Sequence, residues 1–122
     1  MAVSVLLDSV ILIDHLNGIT AATRYLESLA DASISVITRA EVLAGLTPSP
    51  AVHEWLDRYE TLGIDRRTAD LAAGLRRKHK WKLPDAFQAA LAEQRGMKLA
   101  TRNTKDFPPE RHRFVVVPYS VK

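Results

Sequence analysis

The stretch that decides the fold runs from Leu83 to Phe107, LPDAFQAALAEQRGMKLATRNTKDF. Leu83-Pro84-Asp85 reads as a helix entry, because the fixed φ of Pro suits the first turn and Asp85 complements the positive end of the helix dipole. Ala86, Phe87, Ala89, Ala90 and Leu91 supply a helix of mainly small apolar residues, and Gly96 is its expected C-terminal cap. Lys98-Leu99-Ala100-Thr101 is apolar at its centre and predicts a short buried strand. That strand delivers Arg102-Asn103-Thr104-Lys105-Asp106 into a loop. In an open α/β sheet such a loop lies at the carboxyl ends of the strands, where ligands bind. Asp85 and Asn103 then become candidates for one site.

Upstream, Val3-Ser4-Val5-Leu6-Leu7 predicts a buried strand ending at Asp8, and Val10 to Leu16 continues at helical spacing to a stop at Asn17-Gly18. Thr20 is placed to cap a second helix with Ala22, Tyr25, Leu26 and Leu29 inward. Ala32 to Val36 predicts the second strand, and Val42, Leu43 and Leu46 a helix behind Thr38-Arg39-Ala40-Glu41. After a break at Pro48-Ser49-Pro50, the spacing of Val52, Trp55, Leu56, Tyr59 and Leu62 predicts an amphipathic helix. Gly63-Ile64-Asp65 is a connector or brief edge strand, and Thr68 to Lys80 a further helix. Past the rigid Pro108-Pro109, Phe114 to Val117 is the last strand. The order β-αα-β-ααα-α-β-β predicts an α/β fold, a three-layer α/β/α sandwich around a mostly parallel central sheet.

A chain of 122 residues is expected to form a single domain. Its 47% hydrophobic and 25% charged residues are those of an ordinary globular protein. The longest apolar stretch, Val3 to Leu16, is interrupted by Asp8 and Asp14 and is too short to span a bilayer. It also lacks the flanks of a signal peptide. The absence of cysteine excludes disulfides and cysteine-ligated zinc and suits a cytoplasmic location, the one expected here. A net charge of +3 permits a polyanionic partner without requiring one. His15, His53, His79 and His112 show no metal-ligand spacing, and Ser9 and Ser35 sit in no nucleophile elbow.

Three acids stand out because each falls near a predicted helix start. Asp8 suits an N-cap, Thr38 with Glu41 forms a capping-box pattern, and Asp85 is a first-turn acid. Each has that local explanation. Together they gather at one sheet edge, where helix dipoles worth about 0.3–1 kcal/mol each would not offset their repulsion. A hard divalent cation would, and Mg²⁺ or Mn²⁺ prefers such oxygen ligands.

The blocks LLDSVILID (6–14), SVITRAEVLAG (35–45), KLPDAFQAALA (82–92) and LATRNTKDF (99–107) occur in an order and spacing that resembles the PIN-domain ribonucleases. Within these, the chain is most similar to the VapC-type toxins of toxin–antitoxin pairs. The resemblance implies a PIN-like fold and a Mg²⁺-dependent endoribonuclease. Asp8, Glu41 and Asp85 would form the acidic metal site, and Asn103 would stand at a fourth position often held by Asp. There Asn103 would orient water or phosphate, with Asp106 adding charge from the loop. Products would carry 3′-hydroxyl and 5′-phosphate ends. A homodimer is implied, as is a cognate antitoxin whose tail enters the acidic groove. Val10 departs from the Asn or Ser often found there, which removes one polar neighbour of Asp8.

The most basic segment is Arg76-Arg77-Lys78-His79-Lys80-Trp81-Lys82. It reads either as a solvated helix end offsetting the carbonyl dipole or as a phosphate-tracking patch, with Trp81 available for base stacking. Arg102, in the site loop, is a second phosphate candidate. Two rival readings are a metal-independent ribonuclease using His79 and Lys80, and an α/β module that binds nucleic acid or a partner without cleaving it.

Overall fold

The computed structural model describes residues 4–45, 47 and 49–121. The expectations that Val3 opens the first strand, that Leu46 continues the third helix and that Pro48 helps break the chain fall outside the described residues.

Each strand is short and each is followed by helices or by a loop. The order is β1 (Val5–Leu7), α1 (Ser9–Leu16), α2 (Thr20–Ser28), β2 (Ala32–Ser35), α3 (Val36–Ala44), α4 (Pro50–Leu56), β3 (Glu60–Leu62), α5 (Arg66–His79), α6 (Leu83–Arg95), β4 (Lys98–Ala100) and β5 (Val115–Val116). The strands form one sheet, β3-β2-β1-β4-β5, and all its pairings are parallel. Because successive side chains on a strand point to opposite faces, β1 serves two cores. Leu6 joins α5 and α6 on one face, while Val5 and Leu7 join Ile11, Leu12 and Val42 on the other. The predicted three-layer sandwich is the fold observed.

The opening unit folds as its residues dictate. In α6, Ala86 and Ala89–Ala92 are buried on nearly every side, since small side chains let the helix lie close to both sheet and α5. Gly96 ends it at φ 62°, a left-handed conformation open to glycine at no steric cost. The Met97 amide then donates to Ala92 O at 2.9 Å.

Two expectations are corrected. The amphipathic helix drawn from Val52 to Leu62 stops at Leu56, and Glu60–Leu62 becomes the parallel edge strand β3, with Ser35 opposite Leu62. Val52, Trp55, Leu56 and Tyr59 pack on one face of the sheet, whereas Leu62 belongs to the other. Leu62 thus matched the helical spacing by coincidence. The capping box is also displaced. Ser35 caps α3, its Oγ accepting from Thr38 N at 3.0 Å, so Glu41 lies beyond the first turn. Capping does not explain Glu41.

Candidate active site

The chain runs from β1 outward to β2 and β3, then returns across the sheet to β4 and β5. The carboxyl ends of β1 and β4 therefore flank the topological switch point, where open α/β sheets leave a crevice. Leu7 pairs with Ala100, which brings the next residues, Asp8 and Thr101, side by side. Asp8 N donates to Ala100 O at 3.0 Å. The Asp8 carboxylate is fixed at both oxygens: Oδ1 accepts from Ser9 N at 2.8 Å and Oδ2 from Thr101 Oγ1 at 2.6 Å. Val10 packs with the apolar face, so the Ser9 amide and the Thr101 hydroxyl orient Asp8 without a polar side chain at position 10.

Glu41 reaches the same crevice from α3. Burial pushes its carboxyl up, the Ser9 side chain pulls it down by hydrogen bonding, and the charge of Asp8 pushes it up again. Asp85 enters from the first turn of α6, half-buried. Desolvation, followed by the charges of Asp8, Asp106 and Glu41, raises its pKa to about 6, against a smaller opposing pull from Lys82. Asp8, Glu41, Asp85 and Asp106 thus share one space and repel one another. Among the described residues, however, no group of three or more His, Asp or Glu side chains lies close enough to hold a metal ion as placed. The donor set is all oxygen, which suits a hard divalent cation.

Asn103 is spent on its own loop. Its Nδ2 donates to Asp106 Oδ2 at 2.9 Å, its Oδ1 accepts from Asp106 N at 3.3 Å, and its amide N donates to Thr101 Oγ1 at 3.0 Å. The residue therefore holds Asp106 toward Asp85 and adds no ligand of its own. Asp106 is the acid of this loop whose charge acts on Asp85.

Two of the candidate nucleic-acid contacts already have partners within the protein. Trp81 is only 5% exposed. Its Nε1 donates to Asp106 O at 2.8 Å, and its ring lies 4.2 Å from His79 and 4.8 Å from Phe107. It bolts the α5–α6 turn to the site loop. Arg102 grips Asp14 through Nε at 2.6 Å and Nη2 at 2.9 Å, and Tyr119 OH donates to the same carboxylate at 2.8 Å. Arg76, Arg77, Lys78 and Lys80 are exposed, although Arg76 Nη1 donates to Trp81 O at 2.7 Å.

Sequence reasoning passed over other cations. A groove of about 340 Å³ adjoins the acids through Asp106, lined by His79, Trp81, Lys105, Arg111 and His112 as well. Burial, then His79 and Arg111, pushes the His112 pKa down, and Lys105 and Arg111 lie on the same wall. Thr101 was also missed. The signal for it lay in the register, since the residue after β4 must neighbour the residue after β1.

Fold and crevice together define a parallel α/β domain with an acid cluster at its switch point. The family profile described as "PIN domain" matches residues 5–108, and the chain belongs to that family. "Ribonuclease VapC10" of Mycobacterium tuberculosis is 34% identical over 114 residues, 85% of this chain and 86% of the relative. Among solved structures, a chain from "Toxin-antitoxin complex from Klebsiella pneumoniae" superposes with a TM-score of 0.90 at 35% identity, covering 97% of this chain and 100% of that one. A chain of FitAcB from Neisseria gonorrhoeae gives 0.78 at 26% identity, covering 96% and 99%.

Proposed function

We propose that this protein is a Mg²⁺-dependent endoribonuclease, with Mn²⁺ an acceptable substitute, and that it acts as the toxin of a toxin–antitoxin pair. One observation carries the reading: four carboxylates, from the residue after β1, from α3, from α6 and from the loop after β4, converge on one crevice while Asp8 is held rigid. The VapC10 relative and the toxin–antitoxin neighbour support the same reading. So does the chemistry. A cation would relieve the repulsion, and ordinary capping leaves Glu41 unexplained.

Asp8, Glu41 and Asp85 would hold the ion. When bound, it would neutralise the phosphodiester and lower the pKa of the attacking water. The chain's own groups do the rest. Ser9 N and Thr101 Oγ1 lock Asp8 in one rotamer, and Asn103 keeps Asp106 beside Asp85. Water adds to phosphorus as the bond to the 3′ oxygen breaks, leaving a 3′-hydroxyl and a 5′-phosphate. The groove at Lys105 and Arg111 is placed to take flanking phosphates, with Arg76, Arg77, Lys78 and Lys80 an outer set. As partners, the toxin reading adds a second copy of the chain and an antitoxin whose basic side chain fits among the acids.

The test is sequencing of 5′ ends after incubating an RNA pool with the wild type, with Asp8→Asn and with wild type in excess EDTA. Discrete new ends in the first sample alone are expected. Ends that persist in EDTA would return the chemistry to a metal-independent pair such as His79 and Lys80. Ends absent from all three would leave a binding module.

A further inference from the structure

Gln88 breaks the pattern of its helix. It lies one turn beyond Asp85, within a row of buried alanines, and is 1% exposed. Its Nε2 donates to Thr38 Oγ1 at 2.7 Å, while its Oε1 meets no hydrogen-bond donor among the described residues. Turning the amide over would move the deficit to nitrogen without removing it. Thr38, itself fully buried, donates to Leu7 O at 3.4 Å and accepts from Ser35 Oγ at 3.4 Å.

Each end of this network is adjacent to an acid. Leu7 precedes Asp8, Thr38 is one turn before Glu41, and Gln88 is one turn after Asp85. The chain Gln88–Thr38–Leu7 therefore ties together α6, α3 and the end of β1, the three segments that carry Asp85, Glu41 and Asp8. An isosteric apolar side chain such as Met would fill the same volume and leave no orphaned carbonyl. Buried polar groups that break a local rule in this way concentrate at functional sites.

We infer that Gln88 and Thr38 are positioning residues: their hydrogen bond fixes the spacing of Glu41 and Asp85 against that pair's own repulsion, and so presets the site for its cation. The inference rests on the nuclease reading above. The carboxylates repel, so without a tie α3 and α6 would relax apart and the cation would have to draw them back. The partners that fix metal ligands from behind are commonly worth about 10- to 100-fold in affinity or activity.

The experiment is a double-mutant cycle on the full chain with Gln88→Met, Thr38→Val and the pair. Three quantities are read: Mg²⁺ affinity by calorimetry, kcat and KM on RNA, and Tm in EDTA. Gln88→Met is expected to weaken Mg²⁺ binding and lower kcat by about 10-fold or more, with KM little changed. It is also expected to leave Tm in EDTA unchanged or raised. Thr38→Val should match it in affinity and kcat, and the pair should do no more than either alone, the mark of residues acting as a unit. Wild-type Mg²⁺ affinity in both single variants would overturn the inference, as would losses that track Tm and add in the pair. If Thr38→Val fails to fold, Thr38→Ala replaces it as the second arm under the same criteria. A wild type that binds Mg²⁺ but cleaves no RNA would defeat the nuclease reading, while the affinities would still judge the tie.

Discussion

The carboxyl of Asp85 lies among Asp8, Asp106 and Glu41, and its pKa of about 6 has a consequence for folding as well as for chemistry. Relative to an ordinary value of 3.8, the native state keeps its proton in a range where the unfolded chain has lost it. Without a cation, stability should therefore fall as pH rises from about 4 to about 6, and stay lower above that window. At 1.36 kcal/mol per pKa unit, discounted for solvent screening, the loss is roughly 1–2 kcal/mol. Asp85→Asn removes it. Melting in EDTA at neutral pH should show a higher Tm for the variant alongside abolished cleavage, and an equal or lower Tm would make Asp85 chiefly a helix-start residue. Asp14 has the opposite sign. The Arg102 hydrogen bond holds its carboxyl below the ordinary range, so that contribution is present at neutral pH and fades as pH falls through the lowered pKa. Arg102→Ala should cost roughly 1–3 kcal/mol, less than for a fully buried pair because the Arg102 side chain is 27% exposed. Urea denaturation at neutral pH should show that deficit, and it should shrink in strong acid. That Asp85, Asp8 and Glu41 gather in one space was legible from residue type and order. The partners of Trp81 and Arg102 were not legible, because sequence shows an aromatic or a cation but not the carbonyl or carboxylate that has already engaged it.

At the scale of elements, the unit from α6 to β4 was readable because its signals agree. Pro84 opens the helix, Gly96 closes it in the left-handed region, and the strand behind is apolar. The segment from Val52 to Leu62 was not, because a strand of three residues is too short for period-two alternation to outweigh a helical pattern. β3 is an edge strand whose Glu60 and Thr61 are exposed, and only Leu62 faces a core. Long-range pairing with β2 made that strand, and no local propensity announced it. The turn between α5 and α6 belongs to the same argument, since Trp81 connects it to the loop carrying Asn103 and Asp106. Trp81→Phe keeps most of the ring and loses the donor to Asp106 O. It should cost about 1–3 kcal/mol for the carbonyl left unsatisfied, and because Asp106 then drifts, kcat should fall more than KM rises. A variant with the lower Tm but wild-type kcat would leave Trp81 as packing alone.

Across the whole molecule, charge is arranged around the switch point and not spread evenly. The net charge is only +3, yet acids fill the crevice while Lys105 and Arg111 line the adjoining groove and Arg77, Lys78 and Lys80 stand exposed near the end of α5. On the proposed function, such a layout would hold an anionic strand by its flanks and leave the acids to a cation beneath the phosphate being cut. Affinity for RNA should then fall with salt by roughly 0.7 in log K per log unit of salt for each phosphate neutralised on a single strand. The groove and the helix end make separable demands on that slope. In a catalytically silent Asp8→Asn background, Lys105→Ala with Arg111→Ala should lower the slope by roughly one, the expected size for two partly screened contacts. Arg77→Ala with Lys78→Ala should lower it less, because the groove adjoins Asp106 directly and the helix end does not. Fluorescence anisotropy of a short labelled single-stranded RNA across a salt series measures both. A larger effect at Arg77 and Lys78 would move the RNA path onto α5, and no effect at either pair would show that neither carries the strand.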